Sequence, residues 1–267
     1  MKFTAARFLA ATLFALPISA WFLCGCSTSP SPAGVTYSTR VLTGNWTFGP
    51  TDPPAGIPPF GELTGALSGS GANVTGTFRT VGCVSSTQDI HFTGSQTASG
   101  MLTLTSTDLV NNVMVITVNL GDPVAIVAPS WLGGMTVSGS GPCAYADIAM
   151  RVNQYPPLTG TFAGTVTGSA GATVTYTASF TQAAANADGQ FPESGTITVS
   201  TGSCSTTYPI SGLVAGTALR GGLSTTTGAS AGNIGVTLTS AATTMAFTLN
   251  VTSGCSTGLF AGFLGSS

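Results

Sequence analysis

The chain has 267 residues, of which 43% are hydrophobic and only 5% charged, with a net charge of −2. It has no lysine after Lys2 and so no basic patch to hold phosphates, which excludes nucleic acid as a partner. A charged share this far below the usual quarter leaves solubility to Thr, Ser, Asn and Gly, a style of exported β-proteins rather than of cytosolic enzymes.

Lys2 and Arg7 form a short positive start. Phe8 to Leu23 is then apolar except at Thr12, Pro17 and Ser19. That length suits a signal-peptide core and is short for a membrane span. The run ends at Leu23-Cys24-Gly25-Cys26. This resembles the lipobox of bacterial lipoproteins, with Leu at −3, a small residue at −2, Gly at −1 and Cys at +1. The resemblance covers about the first tenth of the chain. It implies that residues 1–25 are a cleaved signal helix and that Cys26 becomes the lipidated first residue, its thiol carrying diacylglycerol as a thioether. The membrane is then a partner through the lipid anchor. In that family an Asp after the Cys often marks inner-membrane retention, so Ser27 leans toward the outer membrane. The processed chain has Arg40, Arg79, Arg151 and Arg220 against eight acids, a net charge of −4.

Residues 26–40 read as a lipidated tether, because their Ser and Pro favour an extended, solvated chain. Strand patterns follow and never give way to helices. Leu42 to Phe48, Val74 to Phe78, Asp89 to Thr93, Met101 to Thr105 and Val113 to Leu120 read as strands, as do Ile126 to Val137 and Cys143 to Val152. Tyr155-Pro156-Pro157 reads as a linker. The second half has Leu158 to Phe162, Thr173 to Phe180, Thr196 to Ser200, Tyr208 to Val214, Ile234 to Thr239, Met245 to Val251 and Leu259 to Leu264. Thr173 to Phe180 alternates with a strict period of two, the pattern of a half-buried strand. Ala183 to Ala187 is helix-like but long enough for one turn at most.

Landmarks recur at nearly one offset. Leu42-Thr43-Gly44 returns as Leu158-Thr159-Gly160, Phe92-Thr93-Gly94 as Ile210-Ser211-Gly212, and Cys143 as Cys255. The strand leading to Cys83 returns as the strand leading to Cys204. This predicts a duplication with β modules at 41–155 and 156–267. The expected fold is all-β, with two similar halves of about six antiparallel strands, each meander closing into a sandwich or barrel. Gly44-Asn45-Trp46 is similar to the G-x-W of lipocalins. The second half has Gly160-Thr161-Phe162 there, and nothing else of that family's pattern is present.

Beyond Cys26, four cysteines remain: Cys83, Cys143, Cys204 and Cys255. Four cysteines allow three pairings, and an exported protein meets an oxidising compartment. The repeat selects Cys83–Cys143 and Cys204–Cys255, each closing a loop worth about 4 kcal/mol in the chain-entropy model. Separations of 60, 61 and 51 residues do not suit zinc, and neither metal nor cofactor is expected.

Chemistry is sparse. His91 is the sole histidine, and Asp89 would share its strand face as half of a metal site or a base–orienter pair; an ordinary strand histidine is the plainer reading. Glu62 and Glu193 are the only glutamates, and most aspartates read as turn residues. No catalytic residue is assigned. Trp46, Trp131 and Tyr155 could form a sugar-stacking platform or line a barrel mouth, with core packing favoured for the two tryptophans. The expectation is a lipid-anchored, exported, non-enzymatic binding or structural β-protein of the bacterial envelope, taking a glycan, a protein or a small apolar ligand. A carrier of an apolar ligand in a barrel cavity is the alternative, and an Asp/Glu-based hydrolase the lesser one.

Overall fold

A computed structural model describes residues 40–51, 61–80, 89–121, 130–140, 144–167, 173–202, 204–239, 244–254 and 256–267. The stretch expected to be a signal peptide, Cys26 and all but the last residue of the expected 26–40 tether lie outside the described residues.

The chain forms two closed eight-stranded barrels within one compact unit. The first comprises β1 (Gly44–Pro50), β2 (Leu63–Ser70), β3 (Asn73–Arg79), β4 (Asp89–Gln96), β5 (Met101–Ser106), β6 (Asn112–Asn119), β7 (Ser130–Gly139) and β8 (Tyr145–Tyr155). The second comprises β9 (Gly160–Thr167), β10 (Thr173–Gln182), β11 (Phe191–Thr201), β12 (Cys204–Ala215), β13 (Ala218–Ser224), β14 (Ser230–Thr237), β15 (Thr244–Val251) and β16 (Gly258–Ser266). Within each barrel every strand pairs antiparallel with the next. β8 returns to β1 along Asn45–Pro50, whereas β16 returns to β9 only at Gly265–Ala163 and Ser266–Phe162.

Alternation explains the architecture. On β10, Val174, Tyr176, Ala178 and Phe180 turn inward, while Thr173, Thr175, Thr177 and Ser179 face outward. Inward apolar faces and outward hydroxyl faces reverse the arrangement of a transmembrane barrel. The first barrel is filled by a chain of rings: Trp131 to Trp46 at 5.7 Å, Trp46 to Phe48 at 6.3 Å, Phe48 to Phe78 at 5.1 Å and Phe78 to Phe92 at 5.7 Å. In the second barrel Tyr176 meets Phe247 at 5.0 Å and Phe260 at 6.0 Å. Each such buried side chain contributes roughly 1.5–3 kcal/mol.

The repeat lies in the strand order. Gly44 and Gly160 open the first strand of each barrel with φ of +144° and +127°, each two residues after a buried leucine, Leu42 or Leu158. Gly94 and Gly212 occupy matching places on β4 and β12.

The expected all-β halves close as barrels, one of the two forms expected, and one expectation needs correction: each half has eight strands, not about six. The unexpected strands are β2 and β13, whose inward faces read Leu63-Gly65-Leu67 and Leu219-Gly221-Leu223. A glycine at the middle inward position hides the alternation while making room where the wall curves. Residues 183–187, expected to hold one helical turn at most, form none and lead from β10 into a hydrogen-bonded turn.

Candidate functional site

The turn between β10 and β11 is built by Asn186. Its Oδ1 accepts from the backbone N–H of Asp188 at 3.0 Å and of Gln190 at 2.9 Å, and its own N–H donates to the Gln190 carbonyl at 2.7 Å. Gly189 completes the turn with φ of +71°. This hairpin lies against the first barrel so closely that a Cβ on Gly189 would stand 2.2 Å from the Thr77 carbonyl oxygen. Arg79, paired with Asp89 at 2.8 Å, also reaches Asp188 at 4.0 Å. Ala66 of β2 packs on the second barrel's core.

Beside this joint is a cleft of about 510 Å³. Its first wall is the outer surface of β2–β4, including Ser68, Thr75, Thr77 and His91. Its second wall is the hairpin, with Ala184, Ala185, Asn186 and Phe191. The surface mixes methyl groups with hydroxyls, and His91 is its only ionisable side chain among the described residues.

His91 is held by Asp108, not by Asp89. Its Nδ1 lies 2.7 Å from Asp108 Oδ2, and its backbone N–H donates to the same carboxylate at 3.1 and 3.2 Å. Asp89 instead binds Arg79 through both oxygens. With Nδ1–H donating to Asp108, a neutral imidazole keeps Nε2 as an acceptor. This is a base–orienter arrangement, half exposed at the edge of the cleft.

The three aromatic binding residues expected from sequence do not form a surface platform. Trp46 and Trp131 are fully buried in the first barrel, and Tyr155 is 7% exposed. The Trp46 indole N–H donates to the Leu42 carbonyl at 2.6 Å, and the Arg40 guanidinium stands 4.8 Å over the Trp131 ring. Tyr155 ends β8 yet packs in the second barrel's core; burial pushes its phenol up, and the Thr47 hydroxyl bonds to it. Cys204 is disulfide-bonded, while Cys83, Cys143 and Cys255 lie outside the described residues. Among the described residues, no group of three His, Cys, Asp or Glu side chains is placed to hold a metal.

No family model, curated protein or solved structure matches the chain.

Of the cleft residues, sequence reasoning singled out only His91 as a candidate for chemistry. Asn-Ala-Asp-Gly-Gln at 186–190 carries a turn signal that could have located the hairpin. Nothing local signals the Asp108 partner, because β5 and its turn bring it from 17 residues away. Glu193, one of the two glutamates, is an inward residue of β11.

Proposed function

We propose that the chain is an exported bacterial envelope protein, lipid-anchored through Cys26 at the outer membrane, whose paired barrels bind a ligand in the cleft between them. The cleft carries this reading: an apolar and hydroxyl-lined space with one oriented imidazole suits a neutral ligand that has both apolar faces and hydrogen-bonding groups. A short glycan is the class that fits best. Its hydroxyls would donate to His91 Nε2. Buried apolar side chains pack as a core inside each barrel, and the alternative of an apolar-ligand carrier also draws its support from this cleft.

Native mass spectrometry of the protein from its own envelope extract tests the binding role. The expected result is a discrete mass shift that is lost on denaturation and absent from Ala185→Trp, which fills the cleft. Glycan titrations that move no NMR signals of the cleft residues would overturn it. Cys26→Ala should abolish incorporation of a labelled fatty acid.

Hydrolysis is the second reading, favoured by the His91–Asp108 contact at a cleft edge. Turnover of a glycan or ester that disappears in His91→Ala, with binding retained, would put it first.

The bridges Cys83–Cys143 and Cys204–Cys255 complete the proposal. Support comes from the residues flanking Cys255. Ser256 Oγ lies 2.8 Å from Thr201 Oγ1, and the Ser253 carbonyl accepts from the Tyr208 hydroxyl at 2.6 Å. Thr201 and Tyr208 lie on either side of Cys204. Non-reducing peptide mapping decides the pairing; a Cys83–Cys204 peptide would sink it.

A further inference from the structure

Glu193 points into the second barrel. On β11 it alternates inward with Phe191, Ile197 and Val199, and it is 3% exposed. Among the described residues neither carboxyl oxygen makes a well-formed hydrogen bond; the Thr181 backbone amide is a donor that falls short of one. The duplication shows that the fold does not require an acid here. Glu193 pairs with Gly212 on β12, and the matching partner of Gly94 in the first barrel is Val74, an ordinary buried core residue.

Among the described residues, no charge faces this carboxyl. On β10 the only titratable inward group is Tyr176, and on β12 it is Tyr208. β9, β14, β15 and β16 contain no Asp, Glu, Lys, Arg or His, and Arg220 on β13 is on the exposed face. Tyr155, from the end of β8, is the remaining titratable group in this core. Asp188 and Arg79 lie outside, at the hairpin.

We propose that Glu193 is a proton-operated latch: as the neutral acid it lets the hairpin at 183–190 close on the first barrel, and as the carboxylate it draws water into this end of the second barrel and loosens that hairpin. An ionised carboxylate in an apolar barrel without a partner is strongly disfavoured, whereas the neutral acid is tolerated. Burial accordingly pushes the group from its ordinary 4.5 up to about 7, although the Thr181 backbone amide acts in the opposite direction. The sign follows from proton binding. Between pH 4.5 and 7 the folded chain holds a proton that the unfolded chain has lost, so the contribution to stability is full below 4.5 and is lost as pH rises through about 7. Across that window the folding equilibrium should fall by about two orders of magnitude from this group alone.

The mechanical link is short. Phe191, two residues before Glu193, lines the cleft, and Gly189, four before it, touches Thr77. The latch therefore also regulates the cleft, a consequence that rests on the binding role proposed above; the latch itself does not.

Hydrogen exchange of the full-length chain at pH 5.5 and 8.0, corrected for intrinsic rates, tests it. In the native protein, peptides spanning 183–193 should lose about tenfold or more of their protection at the higher pH, and Glu193→Gln and Glu193→Val should remove this difference. Equal protection at both pH values, or an unchanged response in Glu193→Gln, would overturn the proposal. If Glu193→Gln fails to fold, Glu193→Val serves alone, because Val74 fills the equivalent place. A carboxyl ¹³C titration gives an independent readout: a Glu193 midpoint near 7 supports the latch, and one in the ordinary carboxylate range ends it. Loss of ligand binding with the pH response intact would refute the cleft and leave the latch standing.

Discussion

The side chain of Asn45 hydrogen-bonds both backbone groups of Gly216, 171 residues away in the chain. Nδ2 donates to the Gly216 carbonyl at 2.7 Å, and the Gly216 N–H donates to Oδ1 at 3.0 Å. Asn45 is 1% exposed, so these bonds are shielded from water and tie the first barrel's opening strand to the β12–β13 turn of the second. Asn45→Ala leaves the Gly216 groups buried without partners. A loss of about 2–3 kcal/mol is expected, read in urea unfolding. The two tryptophans of the first barrel and the tyrosines of the second should then report separate transitions. A single coincident transition at the native midpoint would show that the clamp does not join the barrels.

Gly189 tests the second point of attachment, and Gly71 supplies its control. Both have positive φ, +71° and +59°. A Cβ at Gly71 meets nothing within 4 Å, whereas at Gly189 it would lie 2.2 Å from a backbone oxygen, which cannot rotate away. Gly71→Ala should therefore cost only the left-handed backbone term, about 1–2 kcal/mol. Gly189→Ala should cost more and should displace the hairpin. Equal midpoints in thermal unfolding would show that the hairpin is not pressed on Thr77.

What was legible from sequence follows from period and from landmarks. Strict alternation located Thr173 to Phe180, and the Leu-Thr-Gly pairs located the openings of both barrels. β2 and β13 escaped notice because an inward glycine carries no hydrophobic signal. Trp46 and Trp131 could be read as core or as platform, since a strand sequence does not say whether its apolar face meets a barrel interior or a ligand. The cleft was illegible because its walls come from different halves. His91 found Asp108 through strand pairing, while its sequence neighbour Asp89 was drawn away by Arg79.

Tyr208 offers a test of how the far end of the second barrel is fastened. Its hydroxyl donates to the Ser253 carbonyl at 2.6 Å, and a Cβ on Gly254 would stand only 2.1 Å from that same hydroxyl oxygen. Tyr208→Phe removes the donor and leaves the ring in place. A loss of about 1 kcal/mol is expected, in oxidised and reduced protein alike if the hydrogen bond acts independently of the Cys204 bridge. A much larger loss after reduction would mean that the two fastenings back each other up, which the double-mutant cycle with Cys204→Ser would quantify.

Gly65 and Gly221 occupy the same Leu-x-Gly-x-Leu pattern but should not tolerate a methyl group equally. At Gly65 a Cβ would lie 2.1 Å from the Thr77 carbonyl oxygen and 2.8 Å from the Phe78 Cα, both backbone atoms of the adjoining strand. At Gly221 the nearest atoms are the Ser211 carbonyl oxygen at 3.1 Å and Ile234 Cγ2 at 3.3 Å, tight but within reach of a small adjustment. Gly65→Ala must therefore push β2 from β3, at a cost of about 3 kcal/mol or more, in the range of severe overpacking. Gly221→Ala should cost about 1 kcal/mol or less, because a shift of a few tenths of an ångström suffices and alanine lowers the entropy of the unfolded chain. Tryptophan fluorescence should report the first loss, since Trp46 and Trp131 both lie in the first barrel. Tyrosine signals from Tyr176 and Tyr208 should report the second. If the two substitutions cost the same, the inward glycines merely lower side-chain volume, and close strand approach is not what places them there.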